Sequence, residues 1–296
     1  MGNTISDEQI VYLNGVFMPM ADSKVSTQDR GFLFGDGVYE VIPVYQTKLF
    51  SFKEHLQRLK NSLQAVRIDN PLTDDEWLRV LNSLIARHPA WQDQYIYLQV
   101  TRGTQMQRDH LPAENLTPTV YAYTNPLKPV SKSIIENGIK VITLEDIRWL
   151  NCDIKAITLL PNVMMKLAAK AQQADDAILI SRDGFVTEGT ASNAFIVKNG
   201  TIITPPKGHK LLPGVTRLII ERIAKSHEIP LIEQDITQEE LTQADEIWLS
   251  SSTKEALPVT RLNGNAVGTG KPGPIWHKMT DFYQEHKQAF IQEQSE

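Results

Sequence analysis

The string Asp146-Ile-Arg-Trp-Leu-Asn-Cys-Asp-Ile-Lys155 ends on a lysine, and a second string, Thr187-Glu188-Gly189-Thr190-Ala191-Ser192-Asn193, follows it along the chain. The lysine has apolar neighbours at Ile154, Ile157, Leu159 and Leu160, which predicts that its amine is partly withdrawn from water. Desolvation frees a neutral lysine amine for nucleophilic attack. Lys155 could also be an ordinary surface lysine. A functional role for it depends on the second string.

Glu188 follows Phe185-Val-Thr and precedes a glycine, so it could equally be a turn carboxylate at the end of a strand. A functional role for Glu188 is suggested by its pairing with Lys155. Pyridoxal phosphate chemistry requires a lysine that forms a Schiff base and an acid that keeps the pyridine nitrogen protonated. The two strings contain both groups and so suggest an enzyme that uses this cofactor.

Composition excludes several other classes of protein. The chain has 296 residues, 41% of them hydrophobic, and 30 Lys and Arg against 35 Asp and Glu, for a net charge of −5. No basic stripe for nucleic acid is visible, and no apolar run approaches the roughly 20 residues that span a bilayer. No signal-peptide pattern opens the chain, and Cys152 is its one cysteine, so we expect a cytoplasmic protein without disulfides or membrane contact.

Turn and helix signals alternate along the chain. Asn14-Gly15, Asn199-Gly200 and Asn263-Gly264 each predict a tight hairpin. Capping boxes at Ser51–Glu54, Thr73–Glu76 and Thr237–Glu240 predict helix starts, and further helices are expected over residues 160–173 and 214–226. This mixture predicts an α+β fold.

The length suggests two domains of ordinary size. Asn125-Pro-Leu-Lys-Pro129 is rich in proline and should be extended. We therefore expect a small N-terminal domain over residues 1–122, a linker over 123–132 and a larger, cofactor-binding domain over 133–296.

Phosphate could bind where Gly214-Val215-Thr216-Arg217 opens a helix, because free N–H groups at a helix start attract anions. Arg58 lies at the edge of an apolar helical face and could reach a buried anion, although such a residue more often extends to solvent. Ser250-Ser-Ser252-Thr253 could supply hydroxyl groups or simply form a loop. No His, Cys and Asp cluster has the spacing of a metal site, so no metal is expected.

Several strings together resemble those of class IV pyridoxal phosphate-dependent aminotransferases, and most closely those of the bacterial members that act on D-amino acids. They occur in the same order as in that family: Phe34-Gly-Asp-Gly-Val-Tyr39-Glu, Phe52-Lys-Glu-His-Leu-Gln-Arg58-Leu, Asp153-Ile-Lys155, Thr187–Asn193 and Gly214–Arg217. The resemblance runs from the first hairpin to about Val259. It implies fold type IV, with two domains, the cofactor between them and a homodimer.

The resemblance also implies roles for single residues. Lys155 would be the Schiff-base lysine and Glu188 the partner of the pyridine nitrogen. The phosphate would be held by Arg58, Ser252 and the backbone of Val215 and Thr216, with Leu212 near the cofactor. Tyr39 would line the substrate side, and Arg108 and His110, lent by the other subunit, would grip the substrate α-carboxylate.

These roles imply a ping-pong transaminase that moves amino groups between D-amino acids, such as D-alanine and D-glutamate, and 2-oxo acids. Three alternatives stay open: an L-branched-chain transaminase, an (R)-amine transaminase, and a member that binds the cofactor without catalysis. For Arg108 the alternative is an exposed loop cation in Gln105-Met-Gln-Arg-Asp-His110.

Overall fold

The first described element is the predicted Asn-Gly hairpin. Asn14 and Gly15 have positive φ angles of 47° and 94°, and they join β1 (Ile10–Leu13) to β2 (Val16–Pro19). This computed structural model describes residues 9–293. The first eight residues, on which the expectation of no signal peptide partly rests, lie outside that range.

Contacts divide the chain into two units. Of the described residues, the first unit contains 9–128 and Ile154–Thr158, and the second contains Pro129–Asp153 and 159–293. The short return segment was not anticipated from the sequence.

The first unit is built on one antiparallel sheet of six strands in the order β2-β1-β6-β5-β3-β4. After the hairpin its elements are α1 (Arg30–Phe34), β3 (Gly37–Tyr45), β4 (Lys48–Leu49), α2 (Phe52–Ala65), α3 (Asp74–Ala86), β5 (Gln94–Thr101) and β6 (Thr119–Pro126). Strand β6 thus continues four residues into the segment expected to be a linker.

The core of this unit lies between the sheet and the helices α2 and α3. Leu56, Leu59 and Leu63 recur at helical spacing on α2 and pack with Val38 and Ile42 of β3. The predicted capping box of α3 is present at Thr73 and Glu76. The one predicted at Ser51 is wrong: Ser51 has φ 51°, and its side chain makes no cap hydrogen bond.

The second unit contains a nine-stranded mixed sheet in the order β12-β11-β10-β13-β14-β7-β8-β9, with β15 paired to β14. Its elements are α4 (Lys132–Asn137), β7 (Ile139–Glu145), α5 (Leu160–Ala171), β8 (Asp176–Ile180), β9 (Val186–Gly189), β10 (Asn193–Lys198), β11 (Thr201–Thr204), α6 (Val215–Ser226), β12 (Leu231–Glu233), α7 (Gln238–Thr242), β13 (Glu246–Ser251), β14 (Glu255–Leu262), β15 (Asn265–Ala266) and α8 (Pro274–Glu293).

Five predictions for this unit are confirmed. The remaining Asn-Gly pairs turn between β10 and β11 and between β14 and β15, and a capping box at Thr237 starts α7. Helices α5 and α6 begin within one residue of their expected starts. The α+β class is therefore confirmed, and within residues 9–293 no helix is long and apolar enough to cross a membrane.

Candidate active site

Lys155 lies in the return segment of the first unit, where its backbone is tied to the start of β3. The Tyr39 N–H donates to the Lys155 carbonyl oxygen at 2.9 Å, and the Lys155 N–H donates to Ser62 Oγ at 3.1 Å. The side chain is half-buried, and its Nζ lies 4.1 Å from the centroid of the Tyr39 ring. The amine therefore lies against the face of the Tyr39 ring.

An aromatic stack continues from Tyr39 across the first sheet. The ring centroids of Tyr39 and Tyr97 are 5.7 Å apart, and those of Tyr97 and Tyr123 are 5.2 Å apart. Burial raises the pKa of Tyr97 and raises that of Tyr123 to about 12, so both hydroxyls are protonated at neutral pH. The stack fixes the Tyr39 ring beside the lysine.

Arg58 is buried rather than extended to solvent. Its Nε and Nη2 donate to the two carboxylate oxygens of Glu40 at 2.7 and 2.8 Å, and His55 Nδ1 is 2.8 Å from Glu40 Oε2. Although burial alone would raise the pKa of Glu40, Arg58 holds it well below its usual range. Burial lowers the pKa of His55 despite its bond to Glu40.

Glu40 itself was missed by sequence reasoning. Alternation along β3 places it on the same face as Val38 and Ile42, inside the apolar core. A carboxylate at such a position requires a cationic partner, and this signal could have identified both Glu40 and the burial of Arg58.

Glu188 is at the end of β9 in the second unit, 5% exposed. Arg148 Nη1 donates to its Oε1, and Oε2 accepts from Asn193 Nδ2 at 3.1 Å and from the Leu212 N–H at 3.2 Å. Burial raises the pKa of Glu188, and the interaction with Arg148 opposes this effect. Sequence reasoning therefore selected a buried carboxylate with three donors.

Arg148 is a second residue that the sequence did not single out. It also donates from Nε and Nη2 to Asp146 at 2.9 and 2.7 Å, and Thr187 Oγ1 donates to the same carboxylate at 2.7 Å. Although burial raises the pKa of Asp146, its bonds with Arg148 bring the net shift below the ordinary value. The Asp146-x-Arg148 spacing in the opening string was the available signal.

The start of α6 has the features expected of an anion site. No side chain caps this helix, whose N-cap is Gly214 and whose first residues are the buried Val215 and Thr216. A Cβ on Gly214 would lie 2.0 Å from Asn193 Oδ1, so any other residue would displace the Asn193 side chain. Asn193 pairs with Ser250 across β10 and β13, and the buried Ser250 Oγ has no hydrogen-bond partner among the described residues.

The predicted substrate residues form two groups in the first unit. Arg108 and His110 are exposed, and both lie against Phe34: the Arg108 Cζ is 4.9 Å from the ring centroid, and the His110 ring is 5.5 Å from it. Tyr39 contacts Lys155 and Tyr97 instead. Ser252, in the second unit, is half-buried in the turn between β13 and β14.

A family model for class IV aminotransferases matches residues 37–262. The chain belongs to this family. Residues 9–293 contain no group of three side chains suited to a metal ion.

Similar sequences and structures agree with this assignment. The aminotransferase is 42% identical to a D-alanine aminotransferase of Bacillus licheniformis, over 90% of this chain and 92% of that protein. It is 38% identical to a D-alanine aminotransferase of Staphylococcus aureus, over 93% and 97%. A branched-chain amino acid aminotransferase of Escherichia coli superposes with a TM-score of 0.87 at 26% identity, over 92% of both chains. The corresponding enzyme of Thermoproteus uzoniensis, solved with norvaline, gives a TM-score of 0.84 at 28% identity, over 93% of both chains.

Proposed function

We propose that this aminotransferase transfers the amino group between D-amino acids, D-alanine and D-glutamate among them, and 2-oxo acids, with pyridoxal 5'-phosphate as cofactor. The observation that supports it most is the 42% identity to a D-alanine aminotransferase over nine-tenths of the chain. The exposed Arg108 and His110, side by side on Phe34, add a pair suited to a substrate carboxylate.

The residues of the second unit fit the cofactor. The uncapped N-terminus of α6 offers the N–H groups of Val215 and Thr216 to a phosphate, and Ser250 adds a buried hydroxyl without a partner among the described residues. Ser252 is assigned to the same phosphate and Leu212 to the apolar lining. Arg58 is also assigned to the phosphate, and Glu40 orients its guanidinium through Nε and Nη2. Glu188, fixed by three donors, is assigned to the pyridine nitrogen.

The remaining chemistry is assigned to the first unit. When bound, pyridoxal phosphate supplies an electron sink for the bond broken at the substrate Cα. Lys155 Nζ takes the Cα proton, and its position above the Tyr39 ring keeps that amine oriented. Arg108 and His110 of a second copy hold the α-carboxylate, so that only one enantiomer presents its Cα–H to the lysine.

A homodimer follows from this scheme, and α5 supports it. Leu160, Val163, Met164 and Leu167 recur at helical spacing on this helix and are exposed, from 51% to 70%. The opposite side, with Met165 and Ala169, is buried against β7 and β8. An exposed apolar stripe of this kind is suited to a second copy of the chain. We also propose a cytoplasmic location, where a free thiol such as Cys152 persists.

The test is a half-reaction with a panel of D- and L-amino acids, followed by the visible absorbance of the bound cofactor. We expect D-alanine and D-glutamate to shift the absorbance and L-leucine to leave it unchanged. Lys155→Ala, checked for an unchanged fold by circular dichroism, should abolish turnover. A response confined to L-branched-chain acids would instead favour the activity named for the structural relatives, and a response to amines without a carboxylate would favour an (R)-amine transaminase.

A further inference from the structure

Arg30 is a buried cation to which the reaction assigns no role. It is the first residue of α1 and is 4% exposed. Its Nε donates to Asp36 Oδ2 at 2.8 Å. Its Nη1 donates to the carbonyl oxygen of Asp109 at 2.7 Å, and its Nη2 donates to that of His110 at 2.8 Å. The guanidinium therefore joins α1 to the backbone directly after Arg108.

The loop that carries Arg108 has other contacts, which lie mainly at its base and around Gln105, whose Oε1 accepts from the Ala113 N–H at 2.8 Å and from Arg30 Nη1 at 3.4 Å. At its base the Arg30 N–H donates to Gly103 O at 2.9 Å, and the Gln105 N–H donates to Gln28 O at 3.2 Å. Further along, the side chain of Met106 is 83% exposed and that of Leu111 is 77% exposed. The Arg30 side chain is thus the main contact between α1 and the backbone of Asp109 and His110.

Arg30 is itself held firmly. Asp36 accepts from Arg30 and also from Arg102, whose Nε and Nη2 lie 2.8 and 2.9 Å from its oxygens. The Arg30 Cζ lies 4.8 Å from the centroid of the Phe34 ring, which Arg108 and His110 also contact. Helix α1 therefore contacts the loop in two ways: Arg30 binds its backbone, and Phe34 contacts the side chains of Arg108 and His110.

We propose that Arg30 is a positioning residue for the substrate carboxylate: it fixes the backbone of Asp109 and His110, and so determines how Arg108 and His110 meet the substrate. The proposal rests on the proposed function, in which these two residues grip the α-carboxylate. A planar guanidinium can serve one carboxylate and two carbonyl groups at once, which the single ammonium of lysine cannot reproduce at the same sites.

The experiment is a double-mutant cycle on the holoenzyme with Arg30→Lys, Arg108→Ala and the double variant, measuring kcat and KM for D-alanine. Arg108→Ala should raise KM by about tenfold or more, because a charged hydrogen-bond partner is lost. Arg30→Lys should raise KM by at least roughly fivefold, because misplaced binding groups lose affinity, with kcat nearly unchanged. In the Arg108→Ala background, Arg30→Lys should raise KM by a clearly smaller factor than in the parent, because only His110 is then left to be displaced.

Arg102→Lys is the matched control. Arg102 shares Asp36 with Arg30, but its other nitrogens donate to the carbonyl groups of Val66 and Arg67 rather than to the loop. This variant should weaken the same ion pair and leave KM for D-alanine unchanged. Amide hydrogen exchange gives a second readout, and it should accelerate at residues 106–111 in Arg30→Lys but not in Arg102→Lys.

The inference would be overturned if Arg30→Lys raised KM by the same factor in the parent and in Arg108→Ala. It would also be overturned if Arg102→Lys raised KM as much as Arg30→Lys does. In either case Arg30 would be a purely structural residue. If Arg30→Lys does not fold, Arg30→Gln takes its place, because its shorter amide side chain also gives up the joint contact with Asp36 and the two loop carbonyl groups. If the parent does not transaminate D-alanine, or if Arg108→Ala leaves KM unchanged, the proposed function fails and this inference with it. A KM effect of Arg108→Ala without one from Arg30→Lys removes this inference alone.

Discussion

At the scale of single residues, Glu188 makes the clearest prediction. Glu188→Gln keeps the shape of the side chain but replaces a carboxylate that accepts from Arg148, Asn193 and Leu212. A neutral amide cannot hold a pyridinium proton as a carboxylate does, so we expect kcat to fall by at least roughly tenfold. The variant should still retain the cofactor after gel filtration, because the proposed phosphate contacts involve other residues. A parental kcat would mean that another acid has this role.

The residues identified from the sequence are charged residues in apolar or strand-like segments, where charges are rare. Lys155 and Glu188 each interrupt an apolar or strand-like string, so their type alone attracted attention. Arg148 and Glu40 each have a local signal, the Asp146-x-Arg148 spacing and the alternation along β3, but neither signal identifies the distant partner, Glu188 or Arg58. Pairing between distant charges leaves no local pattern, and it becomes visible only once strands and helices are in register.

At the scale of elements, the start of α6 can be tested through Gly214. Its φ of −67° suits any residue, so only the space is limiting. In Gly214→Ala the new Cβ would displace Asn193, which donates to Glu188 and, at 2.8 Å, to Leu212 O. We expect weaker cofactor binding and a loss of about 1–3 kcal/mol of unfolding free energy.

Gly208→Ala is the control for this variant, because a Cβ there meets nothing within 4 Å. Denaturant unfolding of the cofactor-free protein measures the loss of unfolding free energy. Titration with pyridoxal phosphate measures the loss of cofactor affinity. Equal affinity in both variants would show that the phosphate does not depend on α6.

Elements were predictable where one or two residues decide the backbone. The three Asn-Gly turns and two of the capping boxes formed as expected. The Ser51 box failed although its letters match, because Ser51 adopts positive φ after the tight β3–β4 turn. The proline-rich stretch was interpreted as linker throughout, yet Asn125 and Pro126 pair with β5, since the neighbouring strand rather than composition fixes where β6 ends.

At the scale of the whole molecule, stability should decline in acid. The pKa of Asp36 lies below its ordinary value of 3.8: burial opposes this shift, and bonds from Arg102 and Arg30 cause it. A carboxylate with a lowered pKa in the folded state stabilises at higher pH, and this contribution is lost as the pH falls through the folded-state pKa. The lowered pKa of Asp146 also makes stability decline in acid, whereas the raised pKa of Glu188 changes stability with pH in the opposite direction.

Asp36→Asn should therefore lower the unfolding free energy at pH 7 by about 1–3 kcal/mol and flatten its decline below about pH 4. Thermal unfolding between pH 7 and pH 3 measures both effects, with the exposed Asp69→Asn as control. An unchanged pH profile would mean that Asp36 does not contribute to acid sensitivity.

Assembly is the second prediction for the whole molecule. Leu167→Glu places a charge in the exposed stripe of α5, whereas Leu78→Glu changes a residue on α3 that is 38% exposed. In sedimentation velocity the parent and Leu78→Glu should be dimers, and Leu167→Glu should be largely monomeric and inactive, because the proposed function takes Arg108 and His110 from a second copy. A dimeric, active Leu167→Glu would place the interface elsewhere.

The return segment Ile154–Thr158 has a consequence for biosynthesis. The first unit includes these five residues, and with them Lys155 beside β3, although they are translated after the beginning of the second unit. Domains generally fold as they leave the ribosome, N-terminal first. Here the N-terminal unit stays incomplete until residue 158 has emerged, so the edge of β3 near Gly37 is uncovered on the nascent chain. A ribosome stalled before that point would present a protease-sensitive nascent chain, and one stalled well beyond it a resistant chain.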